Sequence, residues 1–295
     1  MSLFILGVFL VLMFLGIPVA VSLGMASLGA ILMYDTSTIA SAVKLMYSSM
    51  NSFTMVAVPL FFLAGILMDK GGVAEQIFSF CEDVVGWIHG GLGHVNIMTS
   101  ILFAGMSGSS VADVASIGAL CANAMIRSGY PSPYAWGTTL ASSMLASVIP
   151  PSILMVVAAS VAQVSMGQAL FAGIIPGVFL GLVMMVYNYF YCKKHGIGHR
   201  IPFNGGRLWK SFKRALPALM VPVILLGGMY TGYFTSTEAA AICVLYTLIV
   251  SMFVYKKLTF KDLPGIFMSV AKSTGTVLFV AITAKPAGQL FTLDG

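Results

Sequence analysis

The fold of this 295-residue chain is decided by one interrupted apolar stretch, residues 103–118, which reads FAGMSGSSVADVASIG. Gly105 and the Ser-Gly-Ser-Ser run at residues 107–110 stand between long apolar runs. Glycine and serine hold a regular helix poorly, so the sequence predicts that the backbone turns here. This interruption divides the apolar segment at residues 94–125 into two parts.

The composition of the whole chain places this segment in a membrane. Hydrophobic residues make up 59% of the chain, charged residues only 8%, and the mean hydropathy is +0.98, whereas a soluble domain is about 25% charged. One helical crossing of a bilayer takes roughly 20 apolar residues, so several crossings are possible. Long apolar runs without alternation favour helices over a closed barrel. The sequence therefore predicts an all-α integral membrane protein, a bundle of several spans.

The turn inside this membrane segment is open to two interpretations. Unwound backbone at membrane depth survives only where it is buried in protein or lines a wet cavity. A helix starting near Ser110 would present free N–H groups to an anion, and the hydroxyls and carbonyls before it suit a hard cation such as sodium. A packing seam of small residues is the alternative. Asp113 is equally open, because an ionisable group in a span is a functional candidate but also complements the dipole of a helix that begins there.

A second break lies within the predicted span at residues 134–164. Residues 147–153 read SVIPPSI, and neither of the two adjacent prolines has an N–H to donate. Each proline therefore frees a carbonyl four residues earlier, at Ala146 and Ser147. Two adjacent free carbonyls offer a surface to a cation, while a simple helix kink is the alternative.

The net charge of +6 is concentrated in two clusters. Seven of the fifteen basic residues lie within residues 193–214 with no acid among them, and three more lie within residues 256–261. Basic clusters beside membrane spans mark cytoplasmic loops, with an anionic-lipid site as the alternative and no indication of a nucleic-acid partner. Two predicted helices, residues 216–230 and 237–255, separate the clusters, so both clusters fall on the same side.

The remaining apolar runs complete the predicted order of elements. They predict a first long helix at residues 3–33 and another at 53–68. The more polar, amphipathic stretch at residues 69–93 is predicted to lie along the membrane interface. A span at residues 166–191 and a last apolar helix at 265–293 follow.

A faint repeat is visible in the positions of the helix breakers. Small-residue breaks at residues 16–24 and 232–241 each precede a helix with a mid-span proline, Pro59 in the first case and Pro286 in the second. Paired interrupted segments of this kind are typical of transporters built from repeats. Lys285, beside Pro286 in an apolar run, has no explanation in the sequence alone.

Six motifs, in this order along the chain, resemble the large membrane subunit (M, or DctM-like) of TRAP transporters, the tripartite ATP-independent periplasmic carriers. They cover nearly the whole chain and read GIPVAVSLG, VPLFFLAGILMDKGG, GGLGHVNIMTSILFAGMSGSSVADVASIG, SVIPPSI, LFAGIIPG and GYFTSTEAAA.

The resemblance implies an elevator-type carrier of the ion transporter superfamily, with two inverted repeats that each hold a re-entrant helical hairpin, the first of them at residues 94–126. Residues 1–192 would be the first repeat, residues 193–215 a cytoplasmic basic loop, and residues 216–295 the start of the second repeat. The second hairpin of the family is missing from this sequence. We therefore expect a chain truncated on its C-terminal side, with an incomplete second repeat and no transport by itself.

The resemblance also implies a function. It predicts the large permease subunit of a sodium-coupled transporter that imports small organic anions, such as C4-dicarboxylates or sialic acid, through the bacterial inner membrane. The implied partners are a small four-helix membrane subunit of the Q type and a periplasmic solute-binding protein. Sodium is the implied coupling ion, and no cofactor is expected. The implied sodium ligands are Ser107, Gly108 and Ser109, facing Ala146, Ile149 and Pro151, and the implied substrate-lining residues are Ser110, Asp113, Ser147, Pro150 and Ser152.

Two other functions remain as alternatives. A single-component sodium/organic-anion carrier of the same superfamily would need no binding protein. An intramembrane serine protease is suggested by the GxSG pattern at residues 105–108, but it needs a base close to the serine. The four histidines, His89, His94, His195 and His199, lie in the polar stretch before the hairpin and in the basic loop. We therefore predict that the chain is not an enzyme.

Overall fold

The computed structural model describes residues 1–198 and 200–294, and these residues form helices joined by short links, with no β-strand among them. The described part contains fifteen α-helices. In chain order they are α1 (Ser2–Phe14), α2 (Val19–Tyr34), α3 (Ile39–Met50), α4 (Ala57–Lys70), α5 (Val73–Val85), α6 (Gly91–Ser107), α7 (Ser110–Asp113), α8 (Ala119–Arg127), α9 (Ser132–Ser143), α10 (Ile153–Ala162), α11 (Met166–Ala172), α12 (Ile174–His195), α13 (Gly205–Tyr230), α14 (Ser236–Ile249) and α15 (Leu263–Asp294).

Several of these helices are built to cross a membrane. Within the described ranges, four helical segments are long and apolar enough to do so: Met166–His195, Gly205–Tyr230, Ser236–Val254 and Phe260–Asp294. A fifth is possible if α4 and α5, which are bent by 69° at their junction, form one broken span. Large apolar side chains are exposed along α12, including Phe179 at 63%. The chain is an all-α membrane protein, as its composition predicts.

The N-terminal helices correct the prediction of one long helix over residues 3–33. The chain breaks between α1 and α2, where Gly16 has φ +83° and Pro18 precedes the first turn of α2. The ring of Phe4 lies 5.9 Å from the ring of Tyr34, so α1 and α2 fold back on each other. A glycine with positive φ and a proline that cannot donate explain the break.

The basic segment corrects a second prediction, because most of residues 193–215 is helical. Helix α12 continues to His195 and α13 begins at Gly205. Asn204 caps α13 by accepting the N–H groups of Gly206 at 3.0 Å and Arg207 at 3.1 Å. Basic side chains can extend a helix past the membrane, since their apolar stems pack while their charges stay in water. Two helices, α13 and α14, still separate the two basic clusters.

The predicted hairpin is present, with α6 as its first arm and α7 to α8 as its second. The amide of Asn96 contacts the sulfur of Met125 at 3.4 Å, which pairs the open ends of the two arms. Gly108 forms the tip between them. The predicted break in the next span is also present, since α9 continues as a short 3-10 turn and α10 begins only at Ile153.

The hairpin packs into a core that joins the early and late parts of the chain. Phe61 of α4, Phe103 of α6 and Leu225 of α13 belong to one cluster of buried apolar residues. Helix α5 leaves α4 at the 69° bend, and its Asp83 forms an ion pair with Arg207 of α13. The position of α5 along the membrane interface stays a prediction.

Candidate functional site at the hairpin tip

The tip of the hairpin rests directly on the break between α9 and α10. Gly108 has φ +61°, and its carbonyl accepts the backbone N–H of Ile153 at 3.0 Å. A Cβ atom at Gly108 would overlap the carbonyl oxygen of Pro151. The two interruptions that the sequence places 40 residues apart are therefore in contact, and glycine is required at the point where they meet.

Small residues let the backbones approach closely around the tip. A Cβ atom on Gly105 would lie 3.7 Å from the carbonyl oxygen of Pro150. On the other side, a Cβ atom on Gly65 of α4 would lie 3.2 Å from both the Cα and the carbonyl oxygen of Ser107. The tip is thus held between α4 and the broken helix, as small residues allow in membrane proteins.

Serine hydroxyls connect the second arm of the hairpin to the break. The hydroxyl oxygens of Ser110 and Ser147 are 2.6 Å apart. Ser152 donates to the carbonyl of Ser147 at 2.7 Å and accepts the N–H of Met155 at 3.2 Å, so it caps α10. Ser109 caps α7 by accepting the N–H of Ala112 at 3.3 Å.

These bonds change one expectation about the freed carbonyls. The carbonyl of Ser147 is already satisfied by Ser152, whereas the carbonyl of Ala146 accepts no hydrogen bond from the described residues. The side chains of Ala146 and Ile149 are buried in the packing, and Ile149 lies against Gly177 of α12. Only their backbone oxygens can therefore contribute to an ion site.

Ser107 is the hydroxyl at the tip with an unmet hydrogen-bonding capacity. It is 2% exposed, and its hydroxyl oxygen has no partner among the described residues. Its oxygen is therefore available to an ion or a water molecule, as are the oxygens of several other buried side chains without a partner in the described part. Hydroxyl and carbonyl oxygens are the ligands that hard cations prefer, so the residues at the tip fit a bound sodium ion.

Asp113, a predicted substrate-lining residue, lies behind the hairpin tip. It is fully buried, and neither carboxylate oxygen has a hydrogen-bond partner within the described part of the chain. It faces the hydroxyls of Ser143 and Ser100. Asp113 stands in the first turn of α7, but the capping oxygen there belongs to Ser109. The carboxylate therefore points into the protein interior behind the tip.

A layer of buried polar side chains below the tip was missed in the sequence. The amide of Asn96 donates to the hydroxyl of Thr139 at 2.7 Å, and the hydroxyls of Ser100 and Ser142 are 3.1 Å apart. These residues connect α6 to α9. Polar residues four apart on α6 and three apart on α9 lie on one helix face, and this spacing is the signal that could have revealed them.

The described histidines give no support to the serine protease alternative. His94 pairs with the backbone carbonyl of His89, His89 with Arg200, and His195 with the carbonyl of Tyr191. His94 lies in the first turn of α6, about 20 Å along the helix from Ser107. His199 lies outside the described residues.

Comparisons with known proteins agree with these observations. The family model described as "Tripartite ATP-independent periplasmic transporter, DctM component" matches residues 6–295. The chain is 38% identical to the sialic acid TRAP transporter large permease protein SiaM of Vibrio cholerae over 279 residues. These residues cover 95% of this chain and 65% of that protein. It is 38% identical over 287 residues to the sialic acid TRAP transporter permease protein SiaT of Haemophilus influenzae, covering 97% and 47% respectively.

A third relative carries a different substrate in its name. The C4-dicarboxylate TRAP transporter large permease protein DctM of Pseudomonas aeruginosa is 36% identical over 274 residues, which cover 92% of this chain and 64% of that protein. The chain thus spans between 47% and 65% of the length of these three relatives. All three are named as transporter permeases and none as an enzyme, as the sequence predicts.

Proposed function

This chain belongs to the DctM component family of tripartite ATP-independent periplasmic transporters, and from this premise we propose that it is the permease part of a sodium-coupled carrier that imports small organic anions. The observation that carries the proposal is the contact between Gly108 and the broken helix. Two interrupted helices meet there and bring polar backbone together inside an apolar chain, which membrane proteins tolerate where they bind ions or substrates.

Sodium coupling is supported by the kind of ligand atoms at the tip. The proposed ligands are Ser107, Gly108 and Ser109 on the hairpin, facing the backbone of Ala146, Ile149 and Pro151. The unpartnered hydroxyl of Ser107 and the free carbonyl of Ala146 supply oxygen atoms that a cation would satisfy.

The substrate class is supported by the relatives. Their names include sialic acid, C4-dicarboxylates and 2,3-diketo-L-gulonate, all of which are organic acids that carry at least one carboxylate. We propose that the place where such an anion binds is lined by Ser110, Asp113, Ser147, Pro150 and Ser152, because these residues lie at the junction of hairpin and break.

We propose that a small membrane subunit and a periplasmic solute-binding protein complete the carrier in the bacterial inner membrane. Membership of the tripartite family supports this over a single-component carrier. In an elevator-type movement the hairpin and the broken helix would move together. The hydrogen bond from Ile153 to Gly108 and the Ser110–Ser147 contact support such a unit.

Replacing the tip serines tests the sodium site. A full-length parent containing this sequence is reconstituted with both partner proteins in proteoliposomes, and uptake is measured against sodium concentration. We expect Ser107→Ala and Ser109→Ala to raise the half-saturating sodium concentration by about tenfold each, since an ion ligand worth about 1.4 kcal/mol is lost. Ser269→Ala is the control, because the Ser269 hydroxyl bonds only to Gly265 of its own helix. Unchanged sodium activation with both tip serines removed contradicts the assignment.

A further inference from the structure

Lys285 has an environment that the sodium site at the hairpin tip does not use. It lies in apolar helix α15 directly before Pro286, and its ammonium donates to the carbonyl oxygen of Val161 in the last turn of α10 at 2.9 Å. A cation is favourable at the C-terminus of a helix. An ammonium has three N–H donors, so this contact leaves two for another partner.

Two cavities lie beside this ammonium. The first has a volume of about 370 Å³, and its lining includes Ser160 and Gln163 together with Lys285. The second has a volume of about 650 Å³ and includes Gln289 and Thr292 with the same lysine. Among the described residues that line either cavity there is no aspartate or glutamate. Hydroxyl and amide groups line much of the first cavity, whereas the second is lined mostly by apolar residues. A cationic donor with such groups nearby and without an acid suits an oxyanion.

Lys285 contacts α10 at the end that is far from the hairpin tip. Helix α10 begins at Ile153, which bonds to Gly108, and Val161 lies eight residues further on, about 12 Å along the axis. The cavities are thus at the opposite end of α10 from the proposed sodium site.

The side of the membrane follows from the basic clusters. Helix α13 begins within the first basic cluster and ends at Tyr230. The ring of Tyr230 lies 5.9 Å from the ring of Phe171 in α11, which follows α10 directly. The end of α10 is therefore at the level of the far end of α13. Since basic clusters mark the cytoplasmic side, Lys285 lies toward the outer side.

We propose that Lys285 and these cavities form a carboxylate-binding site that receives the organic anion on the outer side, before it reaches the hairpin tip. The order of binding rests on the proposed function. The binding of a carboxylate at Lys285 does not, and it can be measured without sodium and without transport.

The test uses the whole chain in nanodiscs of zwitterionic lipid, in sodium-free choline buffer. Thermal unfolding is followed against succinate and, separately, sialic acid, with choline chloride at matched ionic strength as the reference. We expect both carboxylates to raise the unfolding temperature of the wild type. Lys285→Gln should weaken the apparent affinity by about tenfold or more, as loss of a charged hydrogen bond implies, while Lys285→Arg should keep most of it.

The two substitutions separate anion binding from helix capping. Glutamine keeps an N–H donor but has no charge, so a structural role alone predicts that Lys285→Gln binds carboxylates as the wild type does. Lys272→Gln on the same helix is the control, since Lys272 is exposed and lines neither cavity. Its carboxylate response should equal that of the wild type.

Three outcomes overturn the proposal. They are equal carboxylate affinity in wild type and Lys285→Gln, equal stabilisation by chloride, and a Lys285-dependent stabilisation that appears only when phosphatidylglycerol is added to the nanodiscs, which would assign the site to a lipid phosphate. Loss of sodium activation in the tip-serine variants leaves this test unaffected, so failure of one proposal can be told from failure of the other.

Discussion

Gly108 holds the hairpin on the broken helix for two separate reasons. Its backbone has the left-handed φ of +61°, which costs a residue with a Cβ atom about 1–2 kcal/mol. In addition, a Cβ atom would overlap the carbonyl oxygen of Pro151. The backbone effect arises at Gly108 alone, whereas the overlap with Pro151 arises only while the tip contacts the break.

Gly108→Ala is therefore expected to damage more than the local backbone. Gly129 offers a matched control, because its φ is +86° and nothing lies within 4 Å of its Cβ position. Gly129→Ala should cost about 1 kcal/mol of unfolding free energy, and Gly108→Ala should cost about 2 kcal/mol more from overpacking. Thermal unfolding in nanodiscs measures both. Equal destabilisation by the two substitutions would mean that Gly108 does not contact Pro151.

Single residues show where sequence reasoning reaches and where it stops. The turn at Gly108 is predictable, because glycine and serine disfavour a helix wherever they cluster. The neighbours of Lys285 and Asp113 are not predictable, because Val161 and Ser143 come from other helices. The Lys285–Val161 contact explains a lysine that the sequence alone leaves without an account.

At the scale of elements, the hairpin and the double-proline break were predictable because both leave local signals. The break between α1 and α2 is signalled by Gly16 and Pro18. The apolar run of 31 residues at 3–33 nevertheless looks like one span when hydropathy alone is considered. The start of α13 was missed for the opposite reason, since basic residues resemble a loop although Asn204 provides a helix cap. Helix caps and breakers thus mark these boundaries better than polarity does.

Cross-linking tests whether the hairpin and the broken helix form one unit. The hydroxyl oxygens of Ser110 and Ser147 are 2.6 Å apart, so cysteines at these positions should bring their sulfur atoms close enough for a disulfide. We expect Ser110→Cys with Ser147→Cys to form an intramolecular disulfide under mild oxidation in membranes, measured by loss of maleimide labelling. The four native cysteines are buried and free, so they should not compete.

The control pair keeps one of the two positions. Ser147→Cys with Ser269→Cys places the second thiol on α15, near the second basic cluster and away from the break. This pair of cysteines should stay reduced under the same conditions. If the first pair remains reduced as well, the hairpin tip does not rest on the break in the membrane.

At the scale of the whole molecule, charge distribution sets the orientation on which both proposals depend. The two basic clusters are separated by α13 and α14, and an even number of crossings returns the chain to the side it left. The link between these helices contains Tyr233, which is 82% exposed. This link and the cavities at Lys285 should face outward together, because α11 packs against the end of α13.

Labelling of single cysteines from each side tests this orientation. A membrane-impermeant maleimide should react with Tyr233→Cys in spheroplasts, and with Lys194→Cys and Lys257→Cys only in inverted vesicles, because basic clusters are retained in the cytoplasm. All three positions are exposed, so a lack of reaction reports the side of the membrane rather than burial. Labelling of Lys194→Cys and Lys257→Cys from opposite sides would remove one of the two crossings. Labelling of Tyr233→Cys from the cytoplasmic side would place Lys285 on the inner face, and an entry site for an imported anion could not lie there.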